Sequence, residues 1–345
     1  MTTGQSTDDQ AATLLSMIRG YWISQAICVA ARLGLADLTG DASRSCADLA
    51  DATGWPERSI FRLLRALASV GIFTHVGDSH FALTPLGRPL RSDATNSVLA
   101  NAIVTGEVYL PVWNALFPSL QHERAEFPQM FGADFFPYLA ANPALGASFQ
   151  ESMVHLNAGV TASIPAAYDF SVFRRVADVG GGKGSLLVEI LKANPKVNGV
   201  LFDLPSVIEL ARENLAASGV ANRCDLVGGD FFAGVVSGCD AYLLRWILHD
   251  HGDDPAIRIL RSCREAMPPE ARLLVIENVI EPGDGPQSWA TKFHDLHMQI
   301  LFGGRERTES EFRSLFAAAG FELRRVISTA SPMSILEGIP VPIVE

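Results

Sequence analysis

Apolar and polar residues follow two different rhythms along this chain, and the rhythm changes near residue 165. Up to that point apolar positions recur every three or four residues, the spacing that lines one face of a helix. Ile60, Leu63, Leu64 and Leu67 form one such stripe. Over residues 47–90 the pattern predicts a short helix at 47–52, a Gly54-Trp55-Pro56 turn, a longer helix at 57–70, and short strands at 72–75 and 81–84 around Gly77-Asp78. That is the order of a winged helix. From about residue 166 short apolar runs alternate with helical segments, the mark of a parallel sheet flanked by helices. Strands are expected at 176–179, 199–202, 224–227, 241–244, 272–277, 322–328 and 333–337. We therefore expect an α/β protein of two domains, a mostly helical one over 1–165 and a sheet domain over 166–345.

Composition agrees with a folded chain. Of 345 residues, 48% are hydrophobic and 19% charged, enough apolar material for a core in each domain. The net charge of −11 is shared, −5 through residue 165 and −6 beyond it, so neither part is basic enough to suggest nucleic acid as the main partner. This weighs against reading Arg58, Arg62 and Arg65, which share one helix face, as a DNA-reading surface; a solvated face is the simpler account. The five cysteines (Cys28, Cys46, Cys224, Cys239, Cys263) are scattered, which predicts no disulfide framework and a reducing, cytoplasmic setting. The opening MTTGQSTDDQ has no basic or apolar signal region. Ser24, Gln25, Arg32 and Asp37 interrupt the apolar stretch at 23–38, so neither secretion nor a membrane span is expected.

Candidate chemistry gathers at the predicted strand ends. Asp178-Val179-Gly180-Gly181-Gly182-Lys183-Gly184 runs from a strand into a helical segment. Glycines permit a tight turn and let a ligand approach the backbone, and the helix N-terminus beyond offers free N–H groups. Alone, such a segment is equally a ligand loop or a tight turn. Two further strand ends favour the ligand. Leu201-Phe202-Asp203-Leu204-Pro205 places an acid 19 residues after Gly184, where it can accept ribose hydroxyls. Gly228-Gly229-Asp230-Phe231-Phe232 offers a carboxylate for an adenine amino group and a ring to cover its face. Together they predict an adenosine-type cofactor.

The fourth strand runs into Arg245-Trp246-Ile247-Leu248-His249-Asp250-His251, placing His249 just beyond a central strand. A histidine there titrates near neutrality and suits general-base work, although a structural histidine is the commoner case. Glu277 and Glu306 follow in later segments, either to orient that imidazole or as solvated loop charge. His249-Asp250-His251 and His294-Asp295-x-His297 could supply metal ligands, but neither has the helical pairing of a zinc motif. No metal is expected.

The ordered set DVGGGKG, LFDLP, GGDFF, LLRWILHDHGDD, VIENVIEP, GGRERTESEF and SILEG resembles the S-adenosylmethionine-dependent O-methyltransferases related to plant caffeic-acid enzymes, which include bacterial natural-product enzymes. The resemblance covers nearly the whole chain. It implies a Rossmann-like sheet of seven strands, the last antiparallel, behind a helical winged-helix-like dimerisation and lid domain. It also implies that Gly180, Gly181 and Gly182 hold the methionine end of the cofactor, Asp203 takes the ribose, Asp230 and Phe231 take the adenine, and Leu204 and Gly229 are further cofactor-binding residues. Arg245 stands at a family lysine. His249 matches the family's base, flanked by Glu277 and Glu306. Phe149, Met153, Asn157 and Asp250 match positions toward the acceptor, Asn157 replacing a family serine near the cofactor. His251 departs from the pattern: the family has tryptophan there, against the adenine.

The resemblance implies methyl transfer to a hydroxyl of an aromatic small molecule of secondary metabolism. N-methylation, or a relative that has turned to hydroxylation, is the second reading, and a winged-helix regulator the third. A homodimer is implied, and the residues agree: Leu14, Leu15, Ile18, Tyr21, Trp22, Ile23, Ile27 and Val29 exceed what one helix stripe needs.

Overall fold

Residues 7–283 and 289–341 are described by a computed structural model, with backbone alone at 7, 8 and 155–158. The chain forms two compact units that interleave in sequence. One comprises residues 1–114 with 136–156, the other residues 115–135 with 157–345.

In the first unit the expected helix–turn–helix–hairpin order is present. Ser45 caps the helix Cys46–Thr53 by accepting from the Asp48 N–H, and Gly54, at φ 71°, ends it. The helix Glu57–Ser69 follows, and then the strands β2 (Phe73–Gly77) and β3 (His80–Leu83). A two-residue strand, β1 (Arg44–Ser45), completes a sheet of order β1-β3-β2. Leu35, Leu49, Ile60, Leu64, Leu67, Phe73 and Phe81 fill the core, while Arg58, Arg62 and Arg65 face solvent. Ahead of this lie helices Thr7–Ile18 and Gly20–Arg32, most of whose large apolar side chains are exposed in the single chain. The stretch Asp9–Arg32 is long and apolar enough to cross a membrane. That is by length and composition only, since the stretch includes Arg19 and three of the four interruptions noted above, Ser24, Gln25 and Arg32.

The second unit is built on the strands β4 (Arg175–Val179), β5 (Asn198–Asp203), β6 (Cys224–Gly228), β7 (Ala241–Arg245), β8 (Arg272–Ile280), β9 (Arg307–Thr308), β10 (Phe321–Ser328) and β11 (Met333–Pro340). Seven of them lie in one row, β10-β11-β8-β7-β4-β5-β6, and β9 pairs with the end of β8. The last strand, β11, is antiparallel to both neighbours, whereas β8, β7, β4, β5 and β6 run parallel. This is the expected Rossmann-like sheet with its final strand reversed.

The central strands, Asp178 in β4 apart, read as apolar runs because both sheet faces are covered. Ala177, Val179, Val200, Phe202, Tyr242, Leu244, Leu273 and Val275 enter one core cluster. Their alternates Val176, Leu201, Ala241, Leu243, Leu274 and Ile276 enter the other. After β4 the chain adds β5 and β6 on one side, then crosses to add β7 and β8 on the other. The crevice beyond the carboxyl ends of β4 and β7 is therefore the switch point where open α/β sheets bind ligands.

Candidate active site

Four strands deliver groups to that crevice. β4 ends in the glycine corner, where Gly180, Gly182 and Gly184 have φ of 72°, 58° and 78°, a region closed to most side chains. Space is also short: a Cβ on Gly181 would lie 2.5 Å from both Asp178 Oδ2 and Leu201 Cδ1. At Gly182 a Cβ would meet nothing within 4 Å, so the corner opens outward there. The helix Ser185–Ala193 starts directly after it.

Asp203, at the end of β5, accepts from the Gly182 N–H (2.8 Å) through Oδ2 and from the Leu204 N–H (2.7 Å) through Oδ1. A carboxylate has about four lone-pair sites, so capacity for ribose hydroxyls remains. Burial pushes this carboxyl above its ordinary range, opposed by the two backbone hydrogen bonds. Gly229 rests against the Phe202 ring. Asp230 Oδ1 accepts from the Phe232 N–H at 2.8 Å. The His251 ring stands edge-on to Phe231 and Phe232, with centroids 6.2 and 5.5 Å away. Burial, with His249 and Arg307, pushes His251 down to about 4, so it is a neutral ring at pH 7.

Arg245, at the end of β7, donates to Thr161 Oγ1 (2.9 Å), and its guanidinium lies 5.2 Å from the Trp246 ring centroid. Asp178, inside β4, is a group that sequence reasoning missed. Both its carboxyl oxygens are buried without a hydrogen-bond partner among the described residues. Burial pushes it up to about 7, with Arg245 opposing and Asp203 adding. Its only signal in the sequence is an acid within an apolar strand. The open glycine corner, the helix start, the acids ending β5 and following β6, and the buried carboxyl beneath fit a cationic, adenosine-bearing cofactor.

His249 lies in the one-turn helix Leu248–Asp250, 7% exposed. Its Nδ1 is 3.1 Å from Glu306 Oε1 and 3.5 Å from Glu277 Oε2, and its Nε2 is 3.4 Å from Asp250 Oδ1. Both glutamates are buried, which sets aside the reading of them as solvated loop charge. Glu277 does not end its strand, because β8 runs on to Ile280 where β9 pairs with it. Its Oε1 accepts from the N–H groups of Ile247 (3.1 Å) and Leu248 (3.0 Å), fixing the turn that carries His249. Trp246, at φ 54°, holds its ring parallel to the imidazole at 6.3 Å.

The electrostatics follow from this crowding. Burial disfavours a charged His249, but Glu277, Glu306 and Asp250 outweigh it and push the imidazole up to about 10. Burial, with its acidic neighbours, pushes Glu277 up to about 7 and Asp250 to about 6, against the pull of His249. Glu306 also suffers burial, yet hydrogen bonds from His249 and His294 bring it down to about 2. His294 thus joins the cluster. It stood out in the sequence only as a metal candidate. Donor atoms of His249, His294 and Glu306 lie within 4.8 Å of one another, the spacing of a cation site. Two of those pairs are direct hydrogen bonds, and we read the cluster as a proton network.

Phe149 and Met153 lie four residues apart on the helix Pro143–Ala167, in the first unit. Phe149 is buried and meets the Phe136 ring edge-on at 6.3 Å; Met153 is half-buried. The side chain of Asn157 lies outside the described residues.

Comparison with known proteins agrees with this geometry. Residues 113–322 match the O-methyltransferase domain family, and residues 15–93 the O-methyltransferase dimerisation domain. The chain is 43% identical to the phenazine O-methyltransferase of Lysobacter antibioticus over 96% of each protein. It is 35% identical to the phenazine-1-carboxylate N-methyltransferase of Pseudomonas aeruginosa, covering 92% of this chain and 93% of that one. It also superposes, with a TM-score of 0.82 and 32% identity, on an O-methyltransferase from neocarzinostatin biosynthesis solved with S-adenosylmethionine and 2-hydroxy-5-methyl naphthoic acid, covering 92% of this chain and 96% of that one. The chain therefore belongs to the S-adenosylmethionine-dependent O-methyltransferases, as a catalytic domain preceded by that family's dimerisation domain.

Proposed function

We propose that this enzyme methylates a hydroxyl of an aromatic small molecule of secondary metabolism, with His249 as the general base. The observation that carries this reading is the imidazole's setting. Nδ1 points at two buried glutamates, so it carries the N–H, and Nε2, 3.4 Å from Asp250 Oδ1, is the nitrogen that accepts a proton when the imidazole is neutral. S-adenosylmethionine supplies a methyl group that is already electrophilic on its sulfonium. The chain's part is to hold the acceptor oxygen in line and to take its proton.

The push on His249 bears on that task. A phenol titrates at about 10. Against burial, the surrounding carboxylates push the imidazole up, which makes it a stronger proton acceptor. They also keep it protonated until the pH rises, so only its neutral fraction can act as the base. Gly180, Gly181 and Gly182 are proposed to take the methionine end, Asp203 the ribose, and Asp230 and Phe231 the adenine, with Leu204 and Gly229 as further cofactor-binding residues and Arg245 in a flanking role. Phe149, Met153 and Asp250 are proposed for the acceptor. Residues 1–165 are proposed for homodimerisation and 166–345 for cofactor binding and catalysis. All five cysteines are unpaired, which supports a cytoplasmic setting.

The Pseudomonas aeruginosa relative keeps nitrogen as a second acceptor reading. A neutral amine carries a free lone pair and needs no base, so the buried His–Glu–Glu set favours oxygen. Incubation with S-adenosylmethionine and a panel of aromatic hydroxyls and amines, read by mass spectrometry, tests this. Methylated hydroxyls are expected, at a rate that rises with pH as His249 loses its proton and that survives dialysis against EDTA. His249→Gln should lower turnover by about 10²–10⁴-fold while leaving cofactor affinity intact. Amine methylation alone, at full rate in His249→Gln, would overturn the reading.

A further inference from the structure

His294 makes the shortest of the hydrogen bonds that Glu306 accepts. Its Nδ1 lies 2.7 Å from Glu306 Oε1, whereas His249 Nδ1 lies 3.1 Å from that same oxygen. Asn278 Nδ2 approaches it at 3.4 Å, while Glu306 Oε2 is buried without a hydrogen-bond partner among the described residues. The charge of one buried carboxylate is thus divided, on one oxygen, between two imidazoles. The helix Trp289–Phe302 holds Glu306 at both ends: His294 donates to its side chain, and Asp295 Oδ1 accepts from its backbone N–H at 2.9 Å.

We propose that His294 is a positioning residue for the base: by sharing Glu306 Oε1 it loosens that carboxylate's grip on His249 and makes the imidazole's proton easier to release. The inference rests on the reading of His249 as the base. The groups facing His249 are Glu277 from β8, Asp250 from its own turn, Glu306 from the segment before β9, and His294 from the helix. His297, one turn beyond His294, is pushed down to about 3 by burial and by the other two histidines, and so contributes no charge at neutral pH. Three carboxylates within 3.5 Å all strengthen the imidazole's hold on its proton. A competing donor on Glu306 offsets one of the three.

The test needs no acceptor. In protein labelled with ¹⁵N-histidine, the His249 signal is identified by its loss in His249→Gln and titrated by NMR. His294→Leu removes the competing donor, and the His249 midpoint should rise by about one pH unit. His294→Asn keeps a donor near the place of Nδ1 and should leave the midpoint near wild type. In a Glu306→Gln background, replacing His294 should no longer move His249, because the coupling passes through that carboxylate. An unmoved midpoint in His294→Leu, an equal rise in His294→Asn, or a shift that persists without Glu306 would each overturn the proposal. If His249→Gln instead keeps O-methylation, the base assignment fails while the titration result stands by itself.

Discussion

Asp178 is the residue whose charge is hardest to reconcile with its place. It lies inside β4, between strands that bury Leu201 and Leu243 beside it, and neither carboxyl oxygen has a hydrogen-bond partner among the described residues. Burial, opposed by Arg245, pushes it from the ordinary 3.8 up to about 7. Between those two values the folded protein holds a proton that the unfolded chain has lost, so stability falls as pH rises. The interval from 3.8 to about 7 corresponds to about 4 kcal/mol. Asp178→Asn removes the titration. Without cofactor, its melting temperature relative to wild type should improve from pH 4 to about pH 7 and level off above that, measured by calorimetry. A difference that stays constant over that range would contradict the assignment. Asp203, at the end of β5, and Glu277, at the end of the apolar run 273–276 within β8, were legible as site candidates because they stand where apolar runs stop. Asp178 was not singled out, since an acid one step earlier looks like ordinary alternation.

Between elements, the site depends on how closely two distant segments press together. The Arg305 N–H donates to the His249 carbonyl at 2.9 Å, and a Cβ on Gly304 would overlap that carbonyl oxygen and the Asp250 backbone. Arg307, fully buried, donates to the carbonyls of Leu248 and His251, each at 2.9 Å, and to Asp253 Oδ1 at 2.8 Å. Gly304→Ala should therefore displace the turn that carries His249. Overpacking of this kind costs about 1–3 kcal/mol. Turnover should fall at least about tenfold, as small misplacements of reacting groups do. Cofactor affinity, measured by calorimetry, should change little, since the glycine corner and Asp203 lie on β4 and β5. Unchanged turnover would mean that the turn adapts. This contact could not be read from the sequence. The two motifs were visible separately, but they meet through the pairing of Val279 with Arg307, and β9 is only two residues long, too short to leave a period. β5, β7 and the first half of β8 were legible for the opposite reason, because burial on both faces makes each a continuous apolar run.

At the scale of the molecule, the first two helices leave an apolar surface that a single chain does not cover. Leu14, Ile18, Tyr21 and Trp22 are 59%, 59%, 58% and 55% exposed, one after another along the N-terminal helices. Soluble monomers rarely leave contiguous apolar patches of more than a few hundred Å² open to water. The dimerisation-domain match begins at residue 15, inside this stretch, which favours a second copy of the chain as its cover in a two-fold contact. A bilayer is the competing cover, because Asp9–Arg32 is long and apolar enough to cross one. Light scattering at micromolar concentration should report twice the 37.2 kDa chain mass. Replacing Ile18 and Trp22 together by aspartate should shift that mass to the monomer, since two buried charges would oppose the contact without touching the cores of either unit. Flotation with lipid vesicles should leave the wild-type protein in the soluble fraction. A wild-type monomer, or co-flotation with the vesicles, would show that something other than a partner copy covers these helices.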